Sequence, residues 1–100
     1  MAAALPYPDS GVRQEWEEAA RAKLAKEIKA AERRGVPTVA ELKWGRPSDV
    51  IIRTAGDMRA SLVVVGTHGR SALEKLLIGS TAERVVRLSP VPVLTVREKR

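Results

Sequence analysis

The chain has no cysteine and no phenylalanine, a single histidine, and only three aromatic residues in 100. Without cysteine there are no disulfides and no thiolate metal sites, and His68 alone assembles no metal centre without carboxylates around it. Tyr7, Trp16 and Trp44 are scattered, and none stands inside a basic cluster, which argues against a base-stacking platform. No apolar run approaches the roughly 18 residues that span a bilayer, and Met1 to Leu5 lack the basic flank of a secretion signal. A cytoplasmic chain without a membrane partner is expected.

Apolar residues at 44% against 30% charged describe a globular chain rather than a disordered tail. Its length fits one small domain over residues 1–100 with a modest core. The net charge of +6 favours anionic partners, but the cations are spread along helices beside Glu and Asp. Nucleic acid is therefore not the expected partner. That reading would need a basic stripe on one face.

Met1 to Ser10, with Pro6 and Pro8, reads as a loop in which Asp9 or Ser10 can cap the next helix. From Gly11 to Arg34 the positions Val12, Trp16, Ala20, Leu24, Ile28 and Ala31 recur at helical spacing, which predicts a long amphipathic helix ended by Gly35. Val36 to Trp44 alternates like a strand with one partly polar face. Gly45, Arg46 and Pro47 form a turn. Ser48 then caps a helix running to about Arg59, with Val50, Ile51, Ala55 and Met58 turned inward.

Leu62 to Val65 is apolar without alternation, as in a parallel strand covered on both faces. The loop Gly66 to Gly69 ends it. Ser71 with Glu74, and Ser80 with Glu83, have capping-box spacing, so a short helix is predicted after each serine. The second helix would carry Ala82, Val85, Val86 and Leu88 inward. Pro90 and Pro92 lead into a last strand of Val91, Val93, Leu94, Thr95 and Val96. Alternation of helices and strands implies right-handed crossovers and parallel pairing.

The stretch from Leu62 to Thr81 carries the chemistry. An apolar strand, a glycine loop and a helix start rich in free N–H groups is how α/β proteins often hold a phosphate. The P-loop pattern fails, because Gly79 is followed by Ser80 and not by Lys. The dinucleotide fingerprint fails as well, because two residues separate Gly66 from Gly69. What remains is glycine, two residues, glycine, nine residues, glycine, serine.

That spacing, with Glu83, Arg84 and Val85 after it and the Ser89 to Val93 strand entry, resembles the ATP-binding signature of the universal stress protein family. The resemblance runs from about Leu5 to Arg97. It implies an α/β fold, an open parallel sheet of strand order 3-2-1-4-5 with helices on both faces, of the adenine nucleotide alpha hydrolase-like type. It implies a nucleotide site at Gly66, His68, Gly69, Arg70, Gly79, Ser80 and Thr81, with ATP as ligand and Mg only alongside ATP. It also implies a homodimer through Val91 to Val96.

Leu5 to Pro8 resembles the loop after the family's second strand, so the first strand, first helix and most of the second strand have no counterpart here. The residues that would contact adenine are among them, and ATP affinity is expected to be weak or lost. The unpaired side of Leu62 to Val65 would be covered by the strand Val36 to Trp44 or by another subunit. No catalytic residue is assigned: nothing places a second base, nucleophile or carboxylate beside His68, and the chain does not read as an enzyme. Ser71 and Ser80 are also explained as N-caps without a ligand. An alternative function is an assembly module that uses a sheet edge and the long helix without nucleotide.

Overall fold

The computed structural model describes residues 2–5, 12–67 and 79–97. Its elements are β1 (Ala2–Leu5), α1 (Arg13–Arg33), β2 (Glu41–Trp44), α2 (Pro47–Asp57), β3 (Val63–Gly66), α3 (Ser80–Leu88) and β4 (Val93–Val96). They form an α/β chain with two parallel two-stranded sheets, β1-β2 and β3-β4. Both pairs join strands consecutive in sequence, and both are parallel. The chain divides into two compact units, residues 1–47 and 48–100.

In the first unit, β1 lies in register with β2 from Ala2 opposite Glu41 to Leu5 opposite Trp44. Residues 2–5 are thus a strand where the sequence reads as loop. Three alanines carry no β pattern, and it is main-chain pairing with β2 that fixes them. β2 in turn is shorter than the alternation of Val36 to Trp44 suggests. Pro37 has no N–H to donate, the Thr38 hydroxyl donates to the Val36 carbonyl (2.9 Å), and Val36 and Val39 are exposed.

Helix α1 follows its apolar line, with Ala20, Leu24, Ile28 and Ala31 half-buried and none fully buried. Its N-cap is Val12, without a side-chain bond; Asp9 and Ser10 lie outside the described residues. Its C-terminus closes as expected on Gly35, at φ 73°. The Gly35 amide donates to the Glu32 carbonyl (2.9 Å) and the Val36 amide to the Ala31 carbonyl (3.0 Å), a Schellman ending. The start of α1 is tied to the end of β2 by one side-chain cluster. Trp44 Nε1–H donates to Glu17, and the Arg13 guanidinium sits 4.9 Å from the centroid of the Trp44 ring.

In the second unit, α2 starts one residue earlier than the serine suggests. Pro47 opens the helix, where a missing N–H costs nothing, and Ser48 is buried in its first turn. Of the residues expected inward, Ala55 is buried, Val50 and Ile51 are half-buried, and Met58 is exposed because the helix has ended at Asp57.

β3 pairs with β4 from Val63 opposite Val93 to Gly66 opposite Val96. It is not covered on both faces: Val63 and Val65 are half-buried, while Val64 is 57% exposed beside Leu94 at 52% and Val96 at 47%. An unbroken apolar run permits a second covering layer but does not supply one. α3 contacts β4 and buries Ala82 and Val85. Val86 and Leu88, also expected inward, are exposed. At 100° per residue Val86 lies only about 40° from Ala82, so its exposure marks the edge of the buried face rather than the opposite side.

Candidate functional site

The loop that begins at β3 and the helix that follows it meet through one main-chain bond. Gly66 is the last residue of β3, and the Thr67 amide continues the ladder by donating to the Val96 carbonyl (3.0 Å). The Thr67 carbonyl accepts from the Gly79 amide at 2.5 Å. Residues 67 and 79, twelve apart in sequence, therefore close the mouth of the glycine loop. Thr67 is buried.

Gly79 is the N-cap of α3, extended at φ −61° and ψ 156°, and its carbonyl accepts from the Glu83 amide (3.0 Å). The expected cap, Ser80, is instead the first helical residue, so the Ser80–Glu83 spacing does not act as a capping box. The reason is geometric. Glu83 sits four residues after the cap, and a glycine cap offers no hydroxyl to the first turn. The amides of Ser80, Thr81 and Ala82 consequently open the helix without a side-chain cap. Such a group of amides, with the partial positive charge of the helix end, is suited to an anion.

Of the seven sequence-derived site residues, Gly66, Gly79, Ser80 and Thr81 lie among the described residues. Ser80 is exposed, Gly79 and Thr81 are half-buried, and Gly66 is held in the ladder opposite Val96. His68, Gly69 and Arg70 lie outside the described residues, as does the helix expected after Ser71. The Gly79 amide is already committed to Thr67, and Ser80 and Thr81 follow it as the first two helical residues.

Two further residues stand one turn behind. Arg84 Nη2 donates to Asp49 Oδ1 at 3.3 Å, joining α3 to the first turn of α2, and the Arg84 Nε is buried without a partner. No local spacing hints at this pair, because 35 residues separate its members. Asp49 blunts the charge that Arg84 could offer a ligand. Among the described residues no group of three or more His, Cys, Asp or Glu side chains could hold a metal ion.

The described residues form an α/β protein of parallel strands in which the end of β3 and the start of α3 are joined by a main-chain bond. A profile of the universal stress protein family matches residues 1–97, and the chain belongs to that family. It is 41% identical over 75 residues to a universal stress protein of Methanocaldococcus jannaschii, covering 75% of this chain and 44% of that one. It is 38% identical to a Thermus aquaticus universal stress protein, covering 92% of this chain and 71% of that one.

Among solved structures, a hypothetical M. jannaschii protein whose biochemical function was assigned from its structure superposes with a TM-score of 0.71 at 26% identity. A universal stress protein in complex with cAMP gives 0.65 at 28%, covering 98% of this chain and 73% of that one. About a quarter of each solved relative thus has no counterpart here. Among the described residues no helix is long and apolar enough to cross a membrane.

Proposed function

We propose that the chain is a cytoplasmic stress-response domain that binds the phosphates of an adenine nucleotide weakly and works as a homodimer. The observation that carries the proposal is the Gly79 to Thr67 bond together with the uncapped start of α3. It pins the helix end at the mouth of the glycine loop and leaves the Ser80 and Thr81 amides as donors. ATP would meet them through its phosphates, with Mg entering only as the nucleotide's companion. A relative in complex with cAMP supports a nucleotide as the ligand class. Gly66, His68, Gly69 and Arg70 complete the proposed cradle by family resemblance. No adenine-binding residue is assigned. The site is for binding; none of its described residues is placed as acid, base or nucleophile.

The dimer is proposed through β4. Its residues alternate in the ladder with β3, so the main-chain groups of Val93 and Thr95 point to the other edge, which has no strand partner among the described residues. The test is an NMR titration of the labelled protein with ATP. Shifts at the Ser80 and Thr81 amides are expected near 1 mM, about −4 kcal/mol of binding. Saturating ATP that leaves both amides unmoved removes the nucleotide reading. The exposed Val64, Leu94 and Val96 would then favour the second reading, an assembly module without nucleotide.

A further inference from the structure

The C-terminal half of α1 is strongly cationic. Residues 21–34 hold Arg21, Lys23, Lys26, Lys29, Arg33 and Arg34 against Glu27 and Glu32, a net +4 of the chain's +6. The cations are also sorted by face. At 100° per residue, Lys26, Lys29 and Arg33 fall within about 60° of one another, opposite the line of Ala20, Leu24, Ile28 and Ala31. Lys23 and Arg34 flank them. Both carboxylates fall between this stripe and the apolar line.

All five cations, Lys23, Lys26, Lys29, Arg33 and Arg34, are exposed, and none pairs with a carboxylate among the described residues. The dipole of the helix explains a cation in the last turn, such as Arg33, but its influence fades before Lys29, Lys26 and Lys23. Ala19, Ala22 and Ala30 lie on the same side, so nothing bulky holds a partner away from the charges.

We infer that this face of α1 binds the phosphate backbone of a nucleic-acid duplex without reading its sequence. Lys26 to Arg33 span about 10 Å of helix, the length of three base-pair steps. No aromatic residue accompanies the stripe, so it offers stacking to no single-stranded base. No asparagine or glutamine lies between Arg21 and Arg34 to read a base edge. An anionic membrane fits less well, because Leu24 and Ile28 are half-buried on the opposite side and cannot enter a lipid interface with the cations. This inference is independent of the nucleotide site in the second unit.

The test is fluorescence anisotropy of the whole chain with a labelled duplex of arbitrary sequence at several salt concentrations. Three phosphate contacts predict a dissociation constant of about 10⁻⁵ M at low salt and a log–log salt slope of about −2.7. The triple variant Lys26→Gln, Lys29→Gln, Arg33→Gln is expected to lose at least about tenfold in affinity and most of the slope. A control, Arg53→Gln, Arg59→Gln, Arg87→Gln, removes the same charge from exposed positions elsewhere and is expected to stay within about threefold. Should the stripe variant misfold by circular dichroism, Lys26→Gln alone should reduce the slope by about 1. The inference is overturned by no binding at about 10⁻⁴ M protein, by equal losses in stripe variant and control, or by tighter binding to phosphatidylglycerol vesicles than to the duplex.

Discussion

Arg59 holds φ at 52°, a conformation that suits glycine, at the end of α2. It stands where Gly35 stands after α1. The Arg59 amide donates to the Gly56 carbonyl (3.2 Å) and the Ala60 amide to the Ala55 carbonyl (3.0 Å), the same ending that closes α1. A side chain in this region costs roughly 1 kcal/mol, so Arg59→Gly should stabilise the protein by about 0.5 kcal/mol after the looser unfolded chain is counted. Gly35→Ala should do the reverse and cost about 1 kcal/mol, although a Cβ there would meet nothing within 4 Å. Thermal melts of the two variants check both signs; a lower midpoint for Arg59→Gly would mean that the arginine makes contacts which outweigh its backbone. Only the glycine ending was legible in the sequence, because arginine is not a turn signal. Ser80 invites a test with opposed readouts. As the first residue of α3 it is exposed, so Ser80→Asp should strengthen the helix by about 0.3 to 1 kcal/mol through the dipole. The same carboxylate would repel a phosphate, and ATP binding should fall at least about tenfold. ATP titrations matching those of the parent protein would move the nucleotide away from the α3 terminus.

Among the elements, α3 separates what a pattern can tell from what it cannot. Ala82, Val85, Val86 and Leu88 were all read inward, and the pattern did not separate them. Burial decides the difference: Val85 is fully buried and Val86 is 50% exposed. Val85→Ala should therefore cost about 2 kcal/mol, from two lost methyl groups and the space they leave, whereas Val86→Ala should stay within about 0.5 kcal/mol. Urea unfolding of the two variants measures this, and equal losses would put Val86 in a contact that its exposure conceals. The long helix and the order of helices and strands were readable because each rests on periodicity over many residues. β1 was not, because alanines take whatever conformation their neighbours impose. The candidate site shows the same division. Gly79, Ser80 and Thr81 were visible through glycine spacing, but the cap fell on Gly79 because the helix chooses its start by main-chain bonds. The Arg84 and Asp49 pair joins residues 35 apart in α3 and α2, which no stretch of sequence records.

For the molecule as a whole, the buried apolar residues among the described ones are Ala55, Ala82 and Val85, a small core by any measure. Val64, Leu94 and Val96 meanwhile lie exposed side by side on the β3-β4 sheet, and the outer edge of β4 has no strand partner among the described residues. Folding that leaves so much apolar surface and so much strand edge unused gains from association, since a second copy supplies both an apolar cover and a strand. The stability of this protein should then depend on its concentration. For a dimer, each tenfold increase adds about 1.4 kcal/mol per dimer, or about 0.7 kcal/mol per chain, and should raise the melting midpoint by about 4 °C. Calorimetry across two decades of concentration measures the slope. Leu94→Glu places a charge in the middle of the exposed face, where it costs the folded monomer little, yet it should abolish the concentration dependence and halve the mass seen by light scattering. A midpoint that ignores concentration in the parent protein would mean that the chain folds alone with its apolar sheet face in water.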